Sequence, residues 1–190
     1  MESDIAITPA LNWLPGEPLP WSAKVSKNFI DLVFQISNNL AMPTMGPVWL
    51  MGCMAWESNA TFSPSIRNMA GSGAVGLIQF MPATAVDLGT STDLLAKMTA
   101  EQQLVFVQKY FSRYAGRLKS LGDVYMAILW PAAIGKPDDH ILWSQESRPT
   151  TYRQNAGLDV DKDGAITKAE CTAKVYARLM EGFKPENMRV

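Results

Sequence analysis

The sequence predicts a mainly α-helical fold on three observations. Apolar residues recur at helical spacing in several separate stretches, capping residues precede those stretches, and no segment alternates convincingly enough to read as a strand. Residues 1–21 stand apart: Pro9, Pro15, Pro18 and Pro20 resist helix, and Trp13 and Trp21 predict a proline-rich arm strapped over the body by its aromatic rings. Residues 22–190 are read as one domain, because 190 residues with 47% hydrophobic content can build a single core.

Val25, Phe29, Val33, Ile36 and Leu40 mark a first amphipathic helix, with Ser22 as a candidate cap and Pro43 and Gly46 closing it. Val48 to Trp56 is apolar nearly all round, which predicts a helix buried on most sides, with Glu57 at its carboxyl end. Pro64, Gly71, Gly73 and Gly76 make residues 58–81 an irregular loop or small hairpin, followed by a short helix over Pro82 to Leu88 that Gly89 stops. Thr99-Ala-Glu-Gln102 has the form of a capping box, and the stripe Leu104, Val107, Tyr110, Phe111 and Tyr114 continues to Gly116. A further helix spans Gly122 to Trp130 before Pro131, and a last one spans Thr167 to Glu181 before Gly182.

Composition narrows the partners. Seventeen basic against eighteen acidic residues give a net charge of -1, without the basic surface that nucleic-acid binders use. The longest apolar run, Pro47 to Trp56, is short of the roughly 20 residues a bilayer span needs, so no stable membrane association is expected. Met1-Glu-Ser-Asp does not begin a secretory signal, and the expectation is a monomer made in the cytoplasm. Cys53 and Cys171 match no metal spacing and read as small buried hydrophobes; His140, the only histidine, has no nucleophile motif around it. The aromatic residues read as core, with Trp56, Trp130 and Trp143 as the alternatives for stacking on sugar rings.

Glu57 is the candidate acid. Apolar neighbours such as Met54 and Trp56 limit its solvation, and a helix carboxyl terminus carries partial negative charge; both disfavour the anion and raise the pKa. A carboxyl that keeps its proton near neutrality can donate it to a leaving oxygen. The loop after it offers Asn59, Ser63, Ser65, Asn68 and Ser72 with three glycines, groups suited to sugar hydroxyls and N-acetyl groups. No Asp or Glu occurs from Ser58 to Val86, whereas paired-carboxylate glycosidases hold a second acid at about 5 Å or roughly 6.5–9.5 Å.

Glu57-Ser58 followed by Gly73-Ala-Val-Gly-Leu-Ile-Gln-Phe-Met-Pro-Ala-Thr-Ala85 resembles the Glu-Ser and Gly-Leu-Met-Gln-x-Met-Pro-x-Thr-Ala motifs of the soluble lytic transglycosylases. These are lysozyme-like enzymes that cut bacterial peptidoglycan. The resemblance implies a lysozyme-like fold with glycan strands as partner, and no organic cofactor. It makes Glu57 the catalytic acid/base, Ser58 its support and Gln79 part of the glycan-binding wall. One departure stands out. Where the family has Ala-Tyr-Asn-Ala-Gly, this chain reads Ala127-Ile-Leu-Trp-Pro-Ala-Ala-Ile-Gly135, so Leu129-Trp130 replaces the Tyr-Asn pair, leaving Tyr125 or Tyr152 to supply a hydroxyl.

This variant looks more like phage or prophage muramidases, which implies passage to the wall by holin-type release or with a virion. The implied reaction protonates the β-1,4 oxygen and leaves a 1,6-anhydro end. A hydrolase on the same fold, a noncatalytic wall-binding or virion structural protein, and a calcium-responsive regulator are the rivals.

Asp159-Val-Asp-Lys-Asp-Gly-Ala-Ile-Thr-Lys-Ala-Glu170 is a full-length EF-hand calcium pattern. Asp159, Asp161 and Asp163 supply carboxylates, Ala165 a backbone carbonyl, Thr167 a hydroxyl or a water, and Glu170 a bidentate clamp. Gly164 makes the sharp turn and Ile166 packs inward. A single loop of this kind, behind a weak entering helix, predicts a structural Ca2+ clip and not a paired sensor.

Overall fold

The computed structural model describes residues 13–68 and 71–189, and the first part of the proline-rich arm, residues 1–12, lies outside them. The fold is mainly helical, as expected. The first helix, α1 (Lys27–Asn39), is capped by Ser26, whose hydroxyl accepts from the Phe29 amide. Ser22 is not that cap. It lies in a separate 3-10 turn, Ser22–Lys24, and its hydroxyl accepts from the Arg189 amide instead.

Helix α2 (Gly46–Glu57) is the centre of the molecule: Val48, Leu50, Met51, Cys53, Met54 and Ala55 are all buried, so the run without polar interruption is a helix surrounded by others. It packs against α1, α6 (Leu121–Leu129) and α8 (Lys168–Gly182). The α8 contact needs a small residue, since a β-carbon added at Gly52 would lie 3.2 Å from Leu179. Between α2 and α6 come α3 (Pro82–Asp87), α4 (Thr92–Leu95) and α5 (Ala100–Phe111), the last opened by the reciprocal Thr99–Gln102 capping box that the sequence announces.

The visible part of the arm does strap the body. Trp21 donates its indole N–H to the Arg178 carbonyl and its amide to the Gly182 carbonyl, satisfying the end of α8, where backbone carbonyls lack helical partners. A side chain at Gly182 would collide with the Trp21 ring.

The strands were missed in the sequence. Ile141–Ser144 (β1) pairs antiparallel with Ala165–Thr167 (β2), Trp143 opposite Ile166. Strands of four and three residues are too short for alternation to register. A seven-residue helix, α7 (Pro149–Asn155), lies between them.

A buried ion pair joins this carboxyl-terminal part to the body. Lys168, the first residue of α8, donates to Asp123 at the start of α6 across 2.7 Å, with side-chain exposures of 3% and 7%. Lys168 also donates to the Lys136 carbonyl, and Asp123 accepts from the Gly135 amide. Burial alone would raise the Asp123 carboxyl, but these bonds and the ammonium charge outweigh it and hold the pKa below the ordinary value. Among the described residues no helix is long and apolar enough to cross a membrane.

Candidate active site

Glu57 is the last residue of α2, and the turn after it fixes where its side chain leaves the helix. The Ser58 hydroxyl donates to the Met54 carbonyl at 2.6 Å and accepts from the Phe62 amide at 3.0 Å. Asn59, Ala60 and Phe62 adopt left-handed backbone in this tight exit. Ser58 is fully buried and locks the turn that follows Glu57, so it is out of reach of a sugar.

Glu57 itself is half-buried. Its surroundings are mostly protein, and burial pushes its pKa up to about 8. The apolar end of α2 therefore does what its sequence suggests, holding a carboxyl that is protonated at neutral pH. Its charge is felt by the Cys53 thiol, one turn earlier, and by the Tyr125 and Tyr110 hydroxyls. Cys53 and Tyr125 are both raised first by burial and then by Glu57.

Tyr125 is also buried, and its hydroxyl accepts the Trp56 indole N–H at 3.1 Å. It borders the acid from inside the core and is a poor direct contact for sugar, which corrects its assignment to substrate. Tyr152 is not part of this neighbourhood. Its hydroxyl donates to Asp159 at 2.6 Å in the acidic loop, because α7 leads straight into that loop.

Gln79 lines a small depression. The loop bearing it, expected as irregular or a small hairpin, has isolated bridges Arg67–Val75 and Val75–Phe80, and Gln79 takes left-handed backbone in the hairpin turn between Val75 and Phe80. Its amide nitrogen donates to the Ile66 and Gly76 carbonyls, leaving its oxygen as the end available to a ligand. Gln79, Met81, Thr84, Tyr110 and Ile128 line one depression. Ser72 stays on the exposed rim of the loop, accepting from the Ala74 amide.

Tyr110 is the site residue that sequence reasoning left in the core. It lines the Gln79 depression, lies in range of the Glu57 charge, and donates its hydroxyl to the Ala127 carbonyl at 2.6 Å. One side chain thus lines the loop wall and bonds α6, with the Glu57 charge a minor influence on its hydroxyl. Trp130 is half-buried under Arg148, whose guanidinium sits 5.1 Å from its ring centre. Trp143 is buried edge-on against it, which removes Trp143 from the stacking alternatives.

No protein-family model matches this chain, and no curated protein matches it in sequence.

The second cluster lies between α7 and α8. Carboxylate oxygens of Asp159, Asp161 and Glu170 fall within 4.8 Å of one another and could hold a metal ion. Gly164 and Lys162 take the left-handed backbone that folds the loop back on itself. Amides of Lys162 and Gly164 point at Asp159, and that of Val160 points at Glu170. Asp163 accepts from Ala165, and Thr167 bonds Glu170 through both amide and hydroxyl. The entering helix is stronger than the sequence suggests, with α7 running into a 3-10 turn at Ala156–Leu158. Ile166 is fully buried and pairs with β1, where a second loop would sit in a paired sensor.

Proposed function

We propose that this protein is a peptidoglycan-cleaving muramidase with a lysozyme-like fold, acting as a lytic transglycosylase on the β-1,4 bond between N-acetylmuramic acid and N-acetylglucosamine. The observation that carries the reading is Glu57: a half-buried carboxyl with its pKa pushed up to about 8 by burial, whose charge reaches Tyr110 in the wall of the Gln79 depression. In this role Glu57 donates its proton to the glycosidic oxygen, the substrate N-acetyl group stabilises the developing cation, and the resulting carboxylate takes the proton of the muramic O6 as that oxygen closes the 1,6-anhydro ring. The reading rests also on the Glu57-Ser58 and Gly73 to Ala85 motifs and on the mainly helical fold.

The oxygen-only donors of residues 159–170 suit a hard cation, and we assign the loop to a structural Ca2+ held by Asp159, Asp161, Asp163, Ala165, Thr167 and Glu170. The ion supplies cross-linking of the loop and no chemistry. The setting proposed for the enzyme is bacterial lysis by a phage or prophage.

The deciding experiment is digestion of purified sacculi followed by mass spectrometry. Anhydro muropeptides, lighter by one water than hydrolytic products, support the transglycosylase; reducing muramic ends support the hydrolase. No release by the wild-type protein removes the enzymatic reading. A folded Glu57→Gln variant that still turns over substrate removes Glu57 from its role.

A further inference from the structure

Gln103 is a fully buried polar side chain for which the proposed chemistry has no use. It projects from the first turns of α5 into the base of the loop that carries Gln79. Its oxygen accepts from the Leu77 amide at 2.7 Å, and its nitrogen donates to the carbonyls of Pro64 and Leu95, both at 3.0 Å. These bonds reach one residue inside the hairpin tip, the loop's opposite limb, and the end of α4. Gly76 lets the loop come this close: its backbone is left-handed, and a β-carbon there would lie 2.2 Å from the Gln103 oxygen.

Gln103 and Tyr110 are seven residues apart, so they share one face of α5. That face holds the loop from behind through Gln103 and meets its cleft side through Tyr110.

We propose that Gln103 is the positioning residue of the substrate wall, setting the height and orientation of Gln79 relative to Glu57. This rests on the glycan-cleft reading above. Gln79 contributes its oxygen only while residues 76–79 keep their turn. Within the loop that turn is held by the reciprocal Val75 and Phe80 backbone bonds, the Gly76 amide on Ile66 and the Gln79 amide on Gly76; the Leu77 amide, inside the turn, bonds Gln103. Removing the amide head releases a buried N–H at Leu77, a buried carbonyl at Leu95 and a part-buried one at Pro64 together, and alters no residue of α2.

The test uses Gln103→Met, which keeps length and loses every bond, and Gln103→Glu, which keeps the acceptor for Leu77 and loses both donors. Two readouts are made on each: amide hydrogen exchange across residues 64–79, and kcat and KM on soluble uncross-linked glycan strands. For Gln103→Met, exchange at Leu77 and the neighbouring loop is expected to rise at least tenfold while α2 and α8 stay protected. KM is expected to rise about tenfold with kcat falling less than threefold, and the effect on KM should not add to that of Gln79→Ala. Gln103→Glu, which turns a buried carboxyl oxygen toward the Pro64 and Leu95 carbonyls, keeps Leu77 slow and loosens the Pro64 limb.

A lower melting temperature with loop exchange and KM unchanged overturns the proposal, as does a KM effect that adds fully to that of Gln79→Ala. If Gln103→Met does not fold, Gln103→Glu decides by the same criteria applied to the Pro64 limb. A wild-type protein inert on glycan sinks the enzymatic reading, while the exchange comparison still decides whether Gln103 holds the loop.

Discussion

Trp56 donates its indole N–H to the Tyr125 hydroxyl across 3.1 Å, one residue before the candidate acid Glu57. The bond ties the end of α2 to α6 just where the chain must present a carboxyl in a fixed direction. Tyr125→Phe leaves a part-buried indole N–H without its partner, which costs about 1–3 kcal/mol. Urea unfolding should show a loss in that range. Glycan turnover per folded molecule should fall too, because the residue adjoining Glu57 is no longer held.

Glu57 gives a pH prediction with a definite sign. Its pKa is raised from 4.5 to about 8 by burial, so the folded protein keeps a proton that the unfolded chain releases. Stability from this group is therefore greatest below about pH 4.5 and declines as pH rises toward about 8, by an upper bound of about 5 kcal/mol at roughly 1.4 kcal/mol per unit. Glu57→Gln carries no such penalty. Urea midpoints taken at about pH 5 and pH 9 should converge in the variant relative to the wild type. Wild-type lytic activity, which needs the protonated acid, should decline as pH rises through about 8.

These two groups also show how much of the site was legible beforehand. Glu57 could be found from sequence because the cause of its raised pKa is local: an apolar helix ending in one acid. Gln79 was singled out through the motif resemblance alone, while the glycines around it announce only that its segment is an irregular loop or small hairpin. Tyr110 and Gln103 were not, because both sit in a helical stripe where tyrosine reads as core and glutamine as surface. Their roles arise only when α5 is packed against a loop more than twenty residues away in sequence. Helix positions followed from periodicity and capping, while β1 and β2 are three or four residues long and exist because they pair with each other. Tyr152 shows the converse error: its type suited the site, but α7 delivers it to Asp159.

The Lys168–Asp123 pair should behave as a buried ion pair whose partners need each other. Lys168→Met leaves a buried carboxylate facing only the amides near Gly135 and Lys119, and breaking such a pair costs about 3–5 kcal/mol. The Asp123 carboxyl lies below its ordinary pKa in the fold, so its contribution is present above the unfolded-state value and is lost as pH falls through the folded one. Acid unfolding of the wild type should therefore include a step that Asp123→Asn lacks. Chemical denaturation followed from neutral pH to about pH 2 reads it directly.

The acidic loop supplies the last prediction. Asp159, Asp161 and Glu170 bring three carboxylates within 4.8 Å, and like charges this close repel unless a cation lies among them. Calcium binding the native state alone adds about 2.7 kcal/mol at one hundred times Kd. Adding calcium to chelator-treated protein should raise the melting temperature, with magnesium much less effective because it demands a tighter octahedral shell. Asp161→Asn should abolish most of the calcium shift, as Asp161 is exposed and removing its charge disturbs little else. Lys168 lies near the end of the loop, begins α8 and reaches Asp123 on α6, two residues before Tyr125. Loss of calcium should therefore loosen the start of α8 first and touch the acid only indirectly. A melting temperature indifferent to both calcium and chelator would show that these carboxylates hold no ion.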